Sequence, residues 1–336
     1  MKIRLVGHLG EASMPVGEIG PWVDFKTELS GNSNEIVIGG FGQEIDALVA
    51  NSYSLESIKE CNSNQISIER RVLVLWEPKA VSPKNYSKEV LANYGKIFAP
   101  SVQWAQALGA EVFNWPQVDL ENCDPNFSNW HQRRNKSVFI LANKFSACKG
   151  ELYSLRRELA FKTQEKDLLD IYGNNWNFGW FYNFIHYLRS LTRTPIMDLS
   201  LTSARFITKK FKNYKGVSHN KLQTNFGYRI SLVIENSADY ISEKLFDSVS
   251  SGAITIYVGP NIAKYGLNEN SVIQCIPSSR EIIKTIEMIQ NMPVSAQLKI
   301  AKLQFESLQT QSKNWECHFV LKALALKINN YLTLVE

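Results

Sequence analysis

The residues best suited to chemistry gather just after position 234. A short apolar run over 228–234 ends in Glu235, Asn236 and Ser237, and Tyr240 follows, directly before a helix-like stretch, 241–251, that carries Ser242, Glu243, Lys244 and Asp247. Gly252 interrupts that stretch, and a second apolar run, 254–258, carries Tyr257 and closes at Gly259. The pattern is strand, helix, strand, with polar side chains where the first strand ends, which is where ligands bind in an α/β domain. Spacings of three and four place Tyr240, Glu243, Lys244 and Asp247 on one helical face and Ile241, Leu245 and Val249 on another. A nucleoside diphosphate suits the polar face. Helix N-terminal amides donate to phosphate, Lys244 adds a mobile positive charge, a carboxylate accepts from sugar hydroxyls, and Asn236 both donates and accepts. The plainer account of the same spacing is a surface Glu–Lys pair on an ordinary helix.

Further groups lie elsewhere. Glu77 directly follows an apolar run over 71–75, and Pro78 biases it away from helix. Trp22 and Trp76 offer ring faces on which a sugar can stack, and His8 sits beside Gly7 and Gly10 after the first apolar run. The five histidines show no metal-ligand spacing, so no metal site is expected. The five cysteines are widely spaced without a CxxC pair, which points to a reducing compartment and away from a disulfide scaffold.

These groups need a frame, and the chain has room for one. Its 336 residues suffice for two domains, and 44% hydrophobic with 21% charged residues is a globular composition. The net charge of +5 favours anionic partners, with short basic patches at Arg133-Arg134-Asn135-Lys136 and Lys209-Lys210-Phe211-Lys212. The first residues read as a strand rather than a signal peptide, and no apolar run approaches the roughly 18 residues of a membrane span. Strands are expected at 3–6, 35–39, 71–75, 96–99, 137–141, 168–172, 228–234, 254–258 and 272–275. Helices are expected over 101–108 with Gly109 as the stop, 151–159, 241–251, 280–290, and from 295 onward. Residues 114–135 read as a passage between domains. The resulting class is α/β with parallel sheets: residues 1–135, residues 136–290, and C-terminal helices over 291–336.

The stretch Tyr228-Arg229-Ile230-Ser231-Leu232-Val233-Ile234-Glu235-Asn236-Ser237, then Tyr240-Ile241-Ser242-Glu243-Lys244-Leu245-Phe246-Asp247, then Ile256-Tyr257-Val258-Gly259, resembles the α-1,3/4-fucosyltransferase family. The resemblance implies two Rossmann-like domains facing across a cleft, the GT-B glycosyltransferase arrangement. The N-terminal domain would take the acceptor and the C-terminal domain GDP-fucose, with the last helices packing back on the former. It implies an inverting transfer of fucose to a hydroxyl, O3 of N-acetylglucosamine or glucose, with no strict need for a divalent metal. Lys244 would meet the diphosphate, and Asn143, Glu235, Asn236, Tyr240, Ser242, Glu243, Asp247 and Tyr257 would line the donor site. Ser242 stands where threonine is common, and its hydroxyl preserves a capping role. Gly259 would let the strand end approach the donor closely. Trp76-Glu77-Pro78, followed by Ser82-Pro83-Lys84-Asn85-Tyr86, matches the family's acid, so Glu77 would be the general base. Lys149 falls where relatives carry an arginine, a point charge in place of a two-pronged grip, with Arg156, further along the following helix beside Arg157, as the alternative. The implied partners are GDP-fucose and an acceptor oligosaccharide rather than nucleic acid. The implied setting is the bacterial cytoplasm, in surface-polysaccharide assembly, with peripheral membrane association left open. Rival readings are a transferase of another nucleotide sugar, a non-catalytic glycan binder of the same fold, and a nucleic-acid binder using the basic patches.

Overall fold

The structure, a computed structural model, describes residues 1–7, 22–31, 33–117, 123–176 and 211–335. His8, the Trp22 side chain, Lys209 and Lys210 lie outside what is described. The chain forms two compact units, Met1–Val118 with Lys313–Glu336, and Asp119–Ser312. Each is built on a six-stranded sheet whose strands all pair in parallel.

In the first unit β1 (Lys2–Val6), β2 (Glu35–Val37), β3 (Ala47–Ala50), β4 (Arg71–Val74), β5 (Lys96–Ala99) and β6 (Glu111–Val112) lie in the order β2-β1-β3-β4-β5-β6. Strand side chains alternate between faces, and here both faces are covered, so the strands read as unbroken apolar runs. Ile3, Leu5, Ala47, Val49, Val72 and Val74 meet one helical layer, which includes Phe25, Leu321, Leu324 and Ile328. Val6, Leu48, Ala50 and Leu73 meet Ile58 and Cys61 on the other side. The same alternation sends Arg4 towards the helix Leu55–Ser63, where it meets Glu60.

That pair is almost wholly buried, at 1% and 2% side-chain exposure. Arg4 Nε and Nη2 donate to the two carboxylate oxygens of Glu60 at 2.8 and 2.7 Å. The Glu60 carboxylate also accepts from the Gly42 and Gln43 amides at 2.7 and 3.1 Å, while Arg4 donates to the Gly39 and Gly40 carbonyls. A buried ion pair offsets its desolvation only when its remaining hydrogen bonds are made, and here the backbone of residues 39–43 supplies them.

The second unit holds β7 (Arg134–Ile140), β8 (Leu169–Tyr172), β9 (Tyr214–Gly216), β10 (Tyr228–Ile234), β11 (Ile254–Val258) and β12 (Ile273–Gln274), ordered β12-β11-β10-β7-β8-β9. Ile230, Leu232, Ile234, Ile254, Ile256 and Val258 fill one face with Leu159, Ile282 and Ile286. Ser248 and Thr255 share a 2.7 Å hydrogen bond on the other, under the helix Glu243–Ser250. Residues 123–133 belong to this unit, so the passage between units falls earlier than 135. Trp130 is fully buried and donates to the Gly252 carbonyl at 2.8 Å, and Arg133 donates to the Ser251 carbonyl at 2.8 Å. Gly252 adopts φ +68°, and a Cβ there would come within 2.6 Å of Pro125. The helices after residue 290 are shared. Val294–Gln309 packs in the second unit, whereas Cys317–Leu334 supplies Val320, Leu321, Leu324, Ala325, Ile328 and Leu332 to the first. Among the described residues no helix is long and apolar enough to cross a membrane.

Glu60→Ala leaves the Arg4 guanidinium buried without its counter-charge. The expected loss is about 3–5 kcal/mol of stability, read as a lowered urea midpoint from a probe in the first unit.

Candidate active site

In the second sheet the chain builds outward from β7 through β8 and β9, then returns to β7's other side with β10 and continues to β11 and β12. The order therefore reverses between β7 and β10, and in open α/β sheets such a reversal marks the crevice, beyond the strands' C-terminal ends, where ligands bind. Two loops meet there. The Leu152 amide donates to the Asn236 carbonyl at 3.1 Å, the Ala238 amide donates to the Gly150 carbonyl at 3.0 Å, and Glu151 and Ser237 form an antiparallel bridge. Lys149 is exposed on the first of these loops, next to Gly150.

Arg156, on the helix Tyr153–Thr163, lies behind this junction at 2% exposure. Its Nη2 donates to the Ile234 carbonyl at 2.6 Å and to Asn236 Oδ1 at 3.0 Å, and its guanidinium sits over the Tyr153 ring at 4.7 Å. Burial brings its pKa down to about 10. Arg156 thus fixes the end of β10 and orients Asn236. Arg157 ties the neighbouring loop, resting on the Phe145 ring at 3.8 Å and donating to the Lys144 carbonyl. Asn143 is buried at the end of β7, and its Nδ2 donates to the Asn175 carbonyl at 3.1 Å.

Glu235 organises the other half. Strand alternation puts it and Tyr257 on the face covered by the helix Glu243–Ser250. Glu235 is fully buried and accepts from the Ser242 amide at 2.9 Å, from Ser242 Oγ at 2.6 Å and from the Tyr257 hydroxyl at 3.4 Å. Burial raises its pKa above the ordinary carboxyl value, with Lys244 and Ser242 pulling partly the other way. Ser242 has extended backbone and is the N-cap, so the helix starts at Glu243. Tyr240 therefore precedes the helix and is buried at 1% exposure, rather than sharing a helical face with Glu243, Lys244 and Asp247. Gly259 has a local reason to lack a side chain. A Cβ there would lie 2.4 Å from the Tyr257 hydroxyl and 2.9 Å from Glu235 Cγ, so the atoms it makes room for belong to this lock.

Lys244 reaches back over the start of its own helix. Its Nζ donates to Ser242 Oγ at 2.8 Å and lies 3.5 Å from Glu243 and 4.0 Å from Glu235. A second lysine joins it. Lys221 opens the helix Lys221–Phe226, capped by Asn220, and donates to Glu243 at 3.2 Å and Asp247 at 3.3 Å. Lys221, Lys244 and Asp247 line a narrow cavity with Leu141, Asn225 and Val233. Sequence spacing alone does not reveal Lys221, because it lies outside the strand–helix–strand segment and packs against it only in the fold. Burial opposes ionisation of Glu243, but Lys244 and Lys221 outweigh it and bring the pKa down to about 2. Asp247 is raised by its burial, and Lys221 compensates only in part. Two ammonium groups here serve three carboxylates, so an arriving anion competes for cations already in place. The Ser242 amide is engaged by Glu235, which leaves side-chain ammonium groups as the principal cations available to a phosphate.

Glu77 stands in the first unit, just past β4, and is half-buried. Its carbonyl accepts from the Tyr86 hydroxyl at 2.9 Å, which closes the loop carrying Ser82 and Pro83. Trp76 is committed to its neighbours, with Phe113 at 5.9 Å and Trp115 at 4.4 Å between ring centroids.

No family model matches the chain, and no curated protein is significantly similar in sequence. Solved structures are similar in fold. HepE (Alr3699) of Anabaena in complex with UDP superposes with a TM-score of 0.59 at 13% identity, covering 98% of this chain and 100% of that one. The same protein in complex with UDP-glucose gives 0.55 at 12% identity, with 100% and 99% covered. An α1,3-fucosyltransferase with GDP gives 0.56 at 12% identity, with 99% and 90% covered. At these identities the likeness shows the fold, and the fold is the two-sheet α/β class of the GT-B glycosyltransferases.

The carboxyls here give opposite pH signs. Glu243 falls from an ordinary 4.5 to about 2, so its contribution to stability is present above about 4.5 and is lost as pH drops towards 2. Glu235 and Asp247 are raised, so their ionisation opposes folding as pH climbs through their folded values. In Glu243→Gln the first effect is absent. The stability gap between parent and variant should narrow as pH falls below about 4.5, followed by denaturant titration across that range.

Proposed function

We propose that this chain is a glycosyltransferase that takes a sugar from a nucleoside diphosphate, with GDP-fucose as the donor favoured by its motif, and passes it with inversion to a hydroxyl of an acceptor glycan. The observation that carries the proposal is the paired lysines beside the β7–β10 crevice, Lys244 over the buried Glu235 lock and Lys221 on Glu243 and Asp247. Anion chemistry at that crevice is what a GT-B fold asks of its donor-binding unit.

In the proposed reaction the acceptor oxygen forms a bond to the anomeric carbon as the bond from that carbon to the β-phosphate oxygen breaks. The proton of the acceptor hydroxyl goes to the Glu77 carboxylate, and the nucleoside diphosphate leaves with the bonding electrons. Lys244 stabilises the charge growing on the leaving phosphate, and exposed Lys149, on the loop tied to residues 236–238, adds a second cation. Glu243 and Asn236 accept from and donate to donor hydroxyls. Arg156, Tyr240 and Tyr257 are positioning residues, because they are buried behind that surface. Ammonium groups supply the positive charge, so transfer proceeds in EDTA.

A second donor class has support of its own, since HepE, with a comparable TM-score, is a UDP-glucose complex. Calorimetry with GDP and UDP, followed by nucleotide-release assays with the corresponding sugars, separates the two. Glu77→Gln should keep nucleotide affinity and lower turnover by about 10²–10⁴. Lys244→Ala should weaken nucleoside diphosphate binding by about tenfold or more. Because it removes a counter-charge of Glu243 and of buried Glu235, it should also lower the melting temperature, so the affinity is read well below that temperature on folded protein. Equal loss of nucleotide binding and turnover in Glu77→Gln would remove Glu77 as the base.

A further inference from the structure

The Arg4–Glu60 pair has an unusual beneficiary. Among the described residues, the hydrogen bonds it makes beyond its own two go to residues 39–43, whose glycines Gly39 and Gly42 both sit at φ +92°. Asn64 holds the far side of the same loop, donating to the Gln43 carbonyl at 3.1 Å and accepting from the Ile45 amide at 3.3 Å. At the centre of this clamped turn is Phe41, 47% exposed, with the Arg4 guanidinium 5.5 Å from its ring centroid. A loop rich in glycine ordinarily gains flexibility. This one is pinned from behind by a buried charge pair so that an aromatic ring stays presented to water.

Beside the ring is a shallow, open cleft of about 520 Å³, a surface that receives one face of a ligand rather than enclosing it. One wall is the loop, with Phe41, Gln43 and Glu44. The other is the helix Leu55–Ser63, from which Glu56, Lys59 and Ser63 face the cleft at spacings of three and four. An apolar ring face flanked by amide, carboxylate, ammonium and hydroxyl groups matches a pyranose. Such a sugar presents C–H bonds on one face and hydroxyls around its rim.

We infer that the Phe41 cleft is a carbohydrate-binding subsite of the first unit, with Phe41 as the stacking platform and the Arg4–Glu60 pair as its support. It stands on the loop geometry and does not require the donor assignment above. The test is saturation-transfer NMR on the full chain with lactose, N-acetyllactosamine and maltotriose at millimolar concentration. Nucleotide calorimetry on the same samples accompanies it. Transfer to sugar ring protons is expected in the parent. In Phe41→Ala the affinity should fall about tenfold, and Phe41→Trp should retain it. Unchanged melting temperatures identify folded variants, since Phe41 is largely exposed. The inference is overturned if Phe41→Ala binds like the parent, or if none of the three sugars binds the parent. It is overturned too if light scattering shows that Phe41→Ala alters only self-association. GDP binding with no Phe41-dependent sugar signal would leave the transferase proposal standing and this one lost, and the reverse pair of results would do the opposite.

Discussion

The chemistry of the second unit depends on one carboxylate placed where a charge is least welcome. Glu235 ends β10 in full burial, and an isolated ion in such a place is strongly disfavoured. Three donors offset that: the Ser242 amide, the Ser242 hydroxyl and the Tyr257 phenol. It also lies at the N-terminus of the helix Glu243–Ser250, where negative charge is favoured. Each partner is thereby fixed. Ser242 becomes the cap, the helix begins one residue later, and Lys244 is directed back over the cap. The phenol of Tyr257 fills the space that Gly259 leaves. The functional surface is the outer layer of a construction whose inner layer is this acid.

The first unit uses a carboxylate in a related way for a different end. Glu60 carries a full counter-charge in Arg4 and spends its remaining lone pairs on the amides of Gly42 and Gln43. In one unit a buried acid fixes where a helix starts. In the other it fixes the shape of a turn. Both follow from strand alternation, which sends Arg4 and Glu235 to faces that a helix covers. The difference lies in charge balance, since Glu235 has Lys244 only at 4.0 Å and Glu60 has a two-pronged guanidinium.

Much of this frame is legible in the chain. The runs at 96–99, 228–234 and 254–258 appear as strands with those bounds, and Ser101 and Gly109 cap their helix as their types require. Other elements are not legible, among them β3, β6, β9 and the helices Trp22–Ser30, Leu55–Ser63 and Lys221–Phe226. β3 is Ala-Leu-Val-Ala, too short and alanine-rich to announce a strand. β9 is a polar edge strand, and the helix Leu55–Ser63 shows only Leu55, Ile58 and Cys61 as an apolar stripe. Around the site, Glu243, Lys244 and Asp247 do share a helix as their spacing implies, and Glu235 and Ser242, which the resemblance adds, meet Lys244 at its start. Local spacing carries no trace of Tyr240 leaving the helix, because that follows from a side chain of β10 seizing Ser242. Lys221 is equally silent, since its meeting with Glu243 and Asp247 is made by tertiary packing. Arg156, offered by the resemblance as a phosphate contact, is instead buried under the end of β10, holding the Ile234 carbonyl and Asn236.

The last helix of the first unit comes after the whole of the second in the chain. Residues 119–312 are contiguous, so that unit can complete its core as soon as it has been synthesised. The first unit cannot. One face of its sheet lacks Leu321, Leu324, Ile328 and Leu332 until the segment beyond residue 312 exists. Vectorial synthesis usually lets the N-terminal domain mature first. Here the order is inverted, and one apolar flank of the N-terminal sheet stays uncovered until its closing helix has been made.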